Sequence, residues 1–298
     1  MNMANWGRVI TAMVTPFTKD GEIDEPSFVR LVDFLFENGS DALVVSGTTG
    51  ESPTLSNPEK IQIFKWAKKA SKNRGPIIAG TGTNDTADVI ALSKEAAEVG
   101  VDALLLVTPY YNKPNQEGLY LHFKAVADAV DIPIMLYNVP GRTNVNLAAE
   151  TVLRLARDCR NIVAVKEASG NLVQVSEIIA GAPEGFSLYS GEDGIVLPTL
   201  AVGGTGVVSV TSHLVGKDLR AMCDAFFRGD MEEAQKLHRK MLPIVRACFQ
   251  STTPSPAPVK AALRMLGVDV GPLRLPLAEC TEKELDIVKK AMTDYGLL

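Results

Sequence analysis

The chain of 298 residues contains 46% hydrophobic and 22% charged residues. This composition is typical of a folded globular protein and excludes a fibrous or intrinsically disordered chain. Its 30 basic and 35 acidic residues give a net charge of −5, which argues against a nucleic-acid-binding protein, because such proteins carry an excess of lysine and arginine. The length allows either two ordinary domains or one large α/β barrel with an extension.

Sequence signals for a membrane segment, secretion or a metal are missing. No apolar run approaches the roughly 18 residues that a membrane-spanning helix needs, so we predict no membrane contact. Residues 1–6 show no basic stretch followed by an apolar one, so we predict no secretory signal. The cysteines form no CxxC pair, which excludes a zinc ribbon and favours the reducing cytoplasm; they are Cys159, Cys223, Cys248 and Cys280. Scattered histidines predict structural roles and no metal site; they are His122, His213 and His238.

Short apolar runs rich in valine, isoleucine and leucine alternate with helix-length segments. The eight runs are 9–17, 42–47, 76–82, 103–110, 133–140, 162–169, 186–191 and 205–210. Continuous apolar runs predict strands that are buried on both faces and therefore parallel. Eight strand–helix repeats predict a (β/α)8 TIM barrel. The alternative is a doubly wound sheet, but the first run ends at Thr15-Pro16-Phe17 without the GxGxxG turn that such sheets often carry.

After the eighth run the pattern changes to helical periodicity alone. Asp230 and Glu233 predict the start of one helix of this part, and Thr281 and Glu284 predict the start of the last one. We therefore predict two parts, a barrel with the active site over residues 1–213 and an all-helical extension over residues 214–298.

Lys166 is the most informative single residue, because it directly follows the apolar residues 162–165 of the sixth run. The active site of such a barrel lies at the C-terminal ends of the strands. Burial there disfavours the charged form of a lysine, and a neutral lysine is a nucleophile that can form a Schiff base with a carbonyl substrate. The alternative is a structural lysine, paired with Glu167 or Glu192 at the rim of the barrel.

Hydroxyl groups near the same strand ends support proton transfer. Tyr137 ends the predicted fifth strand within its run, and its phenol could relay protons if it were hydrogen-bonded to Thr48 and Tyr111. The alternative is an aromatic residue at the rim with a satisfied hydroxyl. The glycine-rich loop at 47–50 presents backbone N–H groups before a helix, which suits a carboxylate or phosphate, although an ordinary loop would look the same.

Two further positions are candidates for substrate binding. Arg142 could hold a carboxylate through two hydrogen bonds, or it could be an isolated surface arginine. Gly191 lies in a loop with two acidic residues, Glu192 and Asp193, which argue against an anion. We interpret this loop as a close approach of the backbone to a small substrate.

Three motifs carry a family resemblance when they are taken together. They are GTTGE at 47–51, YNVPGRT at 137–143 and VKEAS at 165–169. In this order and spacing, and over the whole chain, the sequence resembles the dihydrodipicolinate synthase / N-acetylneuraminate lyase family. The resemblance implies a class I aldolase-type barrel in which pyruvate forms an imine with Lys166, without a metal or organic cofactor.

Within that family the sequence is most similar to the synthase subgroup, through its two adjacent threonines, its YYN at 110–112 and its Arg142. This implies the following roles. A proton relay consists of Thr48, Tyr111 and Tyr137, with Tyr111 reaching into a neighbouring subunit's site. Pyruvate is bound by Thr49 and lies near the Val208 backbone. The carboxylate of L-aspartate 4-semialdehyde is received by Arg142.

The implied reaction condenses these two substrates to 4-hydroxy-tetrahydrodipicolinate, the entry step of lysine biosynthesis through diaminopimelate, in a cytoplasmic homotetramer that is a dimer of dimers. The alternative within the family is another pyruvate-dependent aldolase, such as N-acetylneuraminate lyase or a 2-keto-3-deoxy sugar acid aldolase. An alternative from another class is a ligand-binding protein without turnover, against which the complete catalytic set argues.

One departure concerns feedback inhibition by lysine, which in some members uses polar residues near Ser52, two of them histidines. The matching positions here are Asn57 and Lys60. A cation at residue 60 would repel an incoming lysine, so we predict weak or absent inhibition.

Overall fold

The computed structural model describes residues 6–298. Residues 1–5 lie outside the described residues. They belong to the predicted barrel domain and to the N-terminal segment in which we predict no secretory signal. Eight parallel strands form a closed barrel, in which each strand pairs with the next and the last pairs with the first. They are β1 Val9–Ala12, β2 Ala42–Val45, β3 Ile77–Gly80, β4 Ala103–Val107, β5 Ile134–Asn138, β6 Ile162–Glu167, β7 Ser187–Ser190 and β8 Gly206–Ser209. The predicted TIM barrel is therefore confirmed.

Helices cover the barrel and continue beyond its last strand. Those that lie between strands are α1 Glu25–Glu37, α2 Asn57–Ser71, α3 Thr86–Val99, α4 Gln116–Ala129, α5 Pro140–Thr143, α6 Ala149–Asp158, α7 Leu172–Gly181 and α8 Val196–Ala201. Those that follow β8 are α9 Ser212–Phe227, α10 Met231–Cys248, α11 Pro256–Met265 and α12 Glu282–Tyr295. None of the helices within residues 6–298 is both long and apolar enough to cross a bilayer.

Alternation along the strands separates two apolar clusters. One set of side chains points into the barrel and forms a cluster that includes Ile10, Val44, Met135 and Tyr189. The other set packs against the helices in a much larger cluster. The Trp6 ring stacks on Tyr189 with centroids 6.3 Å apart. Because Trp6 precedes β1, it closes the N-terminal end of the barrel, and the opposite end is left for a site.

The C-terminal extension is helical, as predicted, and two of its helices, α10 and α12, begin at the predicted caps. The Asp230 side chain accepts from the Glu233 N–H at 3.1 Å, and Thr281 and Glu284 form a capping box. Residues 266–281, between α11 and α12, contain no helix, and helical periodicity alone did not predict this segment. The domain boundary between residues 213 and 214 stays a prediction.

Candidate active site

A cavity of about 280 Å³ opens among the loops that follow β2 to β5. The predicted site residues Thr48, Tyr137 and Arg142 all line it. Each apolar run continues past the end of its strand, so the last residues of the predicted strands form these loops. The site therefore lies at the C-terminal ends of the strands, where a barrel of this type is expected to carry it.

Lys166 and Tyr137 are neighbours on β6 and β5, paired directly in the sheet register. Both residues are only 5% exposed, and Lys166 Nζ lies 4.1 Å from the centroid of the Tyr137 ring. Within residues 6–298, no carboxylate lies within 4.0 Å of Lys166 Nζ. The predicted nucleophile is thus in contact with an aromatic face and not ion-paired with Glu167 or Glu192, the alternative that the sequence left open.

Glu167 points to the other side of the sheet, because side chains alternate along a strand. Its carboxylate accepts from Asn138 Nδ2 at 2.9 Å, from Gln174 Nε2 at 3.0 Å and from the Ser169 N–H at 2.7 Å. Asn138 follows Tyr137 directly, as Glu167 follows Lys166. This buried network therefore joins the two strand ends behind the catalytic candidates, and sequence reasoning missed it.

Gly191 lies directly beside Lys166. A Cβ at this position would come within 2.5 Å of the Ala168 Cβ and 3.1 Å of Lys166 Cε. The Gly191 N–H donates to the Glu167 carbonyl at 2.7 Å. Glycine is therefore required for this loop to lie against the lysine. The predicted approach of this backbone to a small substrate stays a prediction.

Val208 and Thr49 occupy different environments. The Val208 side chain is fully buried in the inner barrel cluster, together with Tyr137, and β8 brings it next to Ile10 of β1. Thr49 is buried in the loop after β2. The Thr15 hydroxyl donates to the Gly50 carbonyl at 2.6 Å, so the loop after β1 contacts the threonine-bearing loop.

Tyr111 is not brought into the cavity of its own chain. Its side chain is 90% exposed, and its backbone has a left-handed φ of 73°. The preceding residue, Tyr110, lines the cavity instead. Burial, followed by the negative charge of Asp88, raises the pKa of Tyr110. A single chain thus presents Thr48 and Tyr137 to the cavity without the third hydroxyl of the predicted relay.

Arg142 lies on α5 with an exposed side chain. It lines both the 280 Å³ cavity and a second cavity of about 370 Å³ along residues 249–255. Burial, and then the charge of Asp193, raise the pKa of Glu192, whereas Lys166 and Arg142 oppose that shift. The mouth of the site therefore contains an available guanidinium and a carboxyl group within electrostatic reach of two cations.

Asp193 and His213 support the far side of the site, and sequence reasoning assigned neither of them a partner. Asp193 accepts from Thr211 Oγ1 at 2.8 Å and from the Val210 N–H at 3.0 Å. His213 accepts from the Val14 N–H at 3.2 Å, and its Nδ1 lies 2.7 Å from the Val210 carbonyl. Burial lowers the pKa of His213 to about 4. This histidine therefore joins the loops after β1 and β8 in its neutral form.

Comparison with known proteins identifies the family of the chain. The model of the dihydrodipicolinate synthetase family matches residues 5–295. The chain is 54% identical over 280 residues to 4-hydroxy-tetrahydrodipicolinate synthase of Bacillus subtilis (strain 168), covering 94% of this chain and 96% of that relative.

Two solved structures share the whole fold. Dihydrodipicolinate synthase of Cyanidioschyzon merolae with lysine bound has a TM-score of 0.96 at 47% identity, covering 98% of this chain and 99% of that one. The chloride-inhibited dihydrodipicolinate synthase of Acinetobacter baumannii complexed with pyruvate has a TM-score of 0.94 at 40% identity, covering 98% and 100%. These matches confirm the family that the motifs predict: the chain belongs to the dihydrodipicolinate synthetase family.

Proposed function

We propose that the chain condenses pyruvate with L-aspartate 4-semialdehyde to give 4-hydroxy-tetrahydrodipicolinate, by Schiff-base chemistry at Lys166. The observation that carries this proposal is the buried contact of Lys166 with Tyr137, at 4.1 Å and without an ion pair within residues 6–298. A lysine held in this way can act as a nucleophile. The phenol beside it can supply and remove protons.

The first half of the reaction forms an enamine. The Lys166 amine adds to C2 of pyruvate, and the carbinolamine loses its hydroxyl as water after receiving a proton from the Tyr137 phenol. Loss of a proton from the pyruvate methyl group then gives the enamine. Thr49 and its neighbouring backbone N–H groups would receive the carboxylate, and Gly191 leaves room for the imine beside Lys166.

The second half forms the carbon–carbon bond and releases the enzyme. The enamine carbon attacks the aldehyde carbon of L-aspartate 4-semialdehyde, whose oxygen takes a proton and becomes the hydroxyl of the product. The substrate's amino group then displaces Lys166 from C2 and closes the ring. Arg142 is available at the mouth to bind the substrate carboxylate bidentately.

The proposal includes a homotetramer arranged as a dimer of dimers. Tyr111 is 90% exposed, so it can join Thr48 and Tyr137 only if it is supplied across a subunit contact.

The proposal also includes the cytoplasm as location, since the cysteines of the chain are all free thiols. In this setting the reaction is the entry step of lysine biosynthesis through diaminopimelate.

A steady-state assay of two aldehydes tests this function against the alternatives. With pyruvate present, the chain is expected to consume L-aspartate 4-semialdehyde at least a hundredfold more efficiently, by kcat/KM, than N-acetylmannosamine. The relatives favour the same outcome, because the curated relative is named for the synthase reaction. Preference for the sugar would make the chain an N-acetylneuraminate lyase. Turnover of neither aldehyde would leave a 2-keto-3-deoxy sugar acid aldolase or the ligand-binding protein as alternatives.

A further inference from the structure

The loop that carries Thr48 and Thr49 ends at a buried carboxylate. Glu51 has a left-handed φ of 57°, and its side chain is fully buried. Glu51 Oε1 lies 2.6 Å from Lys260 Nζ, and Oε2 accepts from the Arg274 N–H at 2.9 Å. A buried carboxylate without partners would be strongly unfavourable. Both of these partners come from the C-terminal extension.

Lys260 is fully buried on α11. Its Nζ donates to the Pro272 carbonyl at 2.7 Å and lies 4.4 Å from the centroid of the Phe17 ring. Burial lowers the pKa of Lys260 to about 8, although Glu51 opposes the shift. The lysine therefore joins α11, the segment between α11 and α12 and the loop after β1 at one point.

Arg274 provides a second connection from the same segment. Its guanidinium donates to the carbonyls of Thr54 and Gly21, each at 2.8 Å. It also pairs with Glu59 and lies 4.4 Å from the Phe17 ring centroid. The segment that follows the threonine-bearing loop is thus held by the extension, which also contacts the loop after β1.

We infer that Lys260 and Glu51 are positioning residues, through which the C-terminal extension sets the geometry of the Thr48–Thr49 loop for the pyruvate carboxylate. This inference rests on the proposed function. Lys166 is on β6, away from this pair, so the pair affects how tightly pyruvate is held and leaves the nucleophile itself in place.

The test measures pyruvate alone, by trapping the imine with borohydride at increasing pyruvate concentration. In Lys260→Met, the pyruvate concentration for half-maximal trapping is expected to rise at least tenfold, while the trapping rate at saturation stays within threefold of wild type. Lys260→Met leaves Glu51 buried without its cation and is expected to lower the thermal midpoint. Circular dichroism and thermal unfolding are therefore measured in parallel.

The double variant Glu51→Gln/Lys260→Met removes both charges and keeps the test valid if the single variant does not fold. The thermal midpoint of this double variant is expected to return to the wild-type value. Its pyruvate concentration for half-maximal trapping is still expected to be at least threefold higher than that of wild type. The control Lys240→Met removes the pair with Asp218 at 2.6 Å, elsewhere in the extension, and is expected to leave the pyruvate requirement unchanged.

The outcomes separate this inference from the function on which it rests. A wild-type pyruvate requirement in a folded Lys260→Met or in the double variant overturns the positioning role alone. An equal rise in the Lys240→Met control also overturns it, because the effect would then be a general loss of stability. Absence of any trapped adduct in the wild-type chain overturns the proposed function itself.

Discussion

Lys166 Nζ lies 4.1 Å from the centre of the Tyr137 ring, and the two residues are paired across β5 and β6. The sheet register fixes this relationship, because parallel neighbours in register place their side chains side by side on one face. The Tyr137 phenol is therefore held by the same strand pair that holds Lys166.

Replacing Tyr137 with phenylalanine keeps the ring against Lys166 and removes the hydroxyl. We expect kcat to fall by about 10²–10⁴, the usual range for a lost proton-transfer group, with pyruvate still bound. Stopped-flow or steady-state kinetics with both substrates check this. The matched control is Tyr110→Phe, which changes a phenol in the same cavity and is expected to retain most turnover. Nearly wild-type activity of Tyr137→Phe would remove the phenol from the mechanism.

Adding one methyl group at Gly191 tests the contact with Lys166. In Gly191→Ala the new Cβ would lie 2.5 Å from the Ala168 Cβ, so the loop and Lys166 must shift. We expect the rate of imine trapping to fall by about tenfold or more, because small misplacements of reacting groups are costly. Gly194→Ala is the control, since its nearest atom would be 3.8 Å away. Equal rates in the two variants would contradict a close contact at residue 191.

Mixing two inactive variants tests whether Tyr111 acts across a subunit contact. Tyr111→Phe and Lys166→Ala are each expected to lose most activity. After the two proteins are mixed and allowed to exchange subunits, hybrid sites with an intact Lys166 from one chain and an intact Tyr111 from the other should recover part of the activity. If mixing restores nothing although mass spectrometry detects hybrid oligomers, Tyr111 does not complete a neighbour's site.

Feedback inhibition by lysine is expected to be weak or absent. Lys60 lines the cavity, and Asn57 donates to Asp88 at 2.8 Å. Burial lowers the pKa of Lys60, although Asp88 opposes the shift. An incoming lysine would therefore meet the ammonium group of Lys60, and Asp88 already accepts a hydrogen bond from Asn57. Steady-state rates with added lysine provide the measurement, and strong inhibition below 1 mM would contradict the prediction.

His213 makes the folded chain less stable in mild acid. Its pKa is about 4 in the folded protein against an ordinary value of 6.5, so only the unfolded chain binds this proton between those pH values. The free energy of unfolding therefore decreases as the pH falls from 6.5 to 4, by about 3 kcal/mol for this group. Urea unfolding of His213→Gln, which does not titrate, should show a smaller decrease than wild type. Parallel curves for the two proteins would contradict the assignment.

Apolar runs predicted the fold well, because strands buried on both faces leave a continuous pattern in the sequence. Each run extended past its strand, since residues such as Thr15 and Tyr110 are also buried or half-buried in the loops. Lys166 was predictable for the same reason: a cation at the end of an apolar run stands out.

The polar partners could not be predicted. Glu167 binds Asn138 and Gln174, and Glu51 pairs with Lys260, only because closure of the barrel and folding of the extension bring distant segments together. A glutamate next to a buried lysine or within a glycine-rich loop carries no signal of its partner. The exposure of Tyr111 also depends on the course of one loop, which composition does not determine.

Mass spectrometry of the borohydride-reduced protein, after incubation with pyruvate, tests the central claim most directly. We predict one covalent adduct of reduced pyruvate per chain, located on Lys166, and none on Lys60 or Lys260, which are also buried. Lys166→Ala should form no adduct while retaining its fold. An adduct on another lysine, or none in the wild-type chain, would contradict Schiff-base chemistry at Lys166.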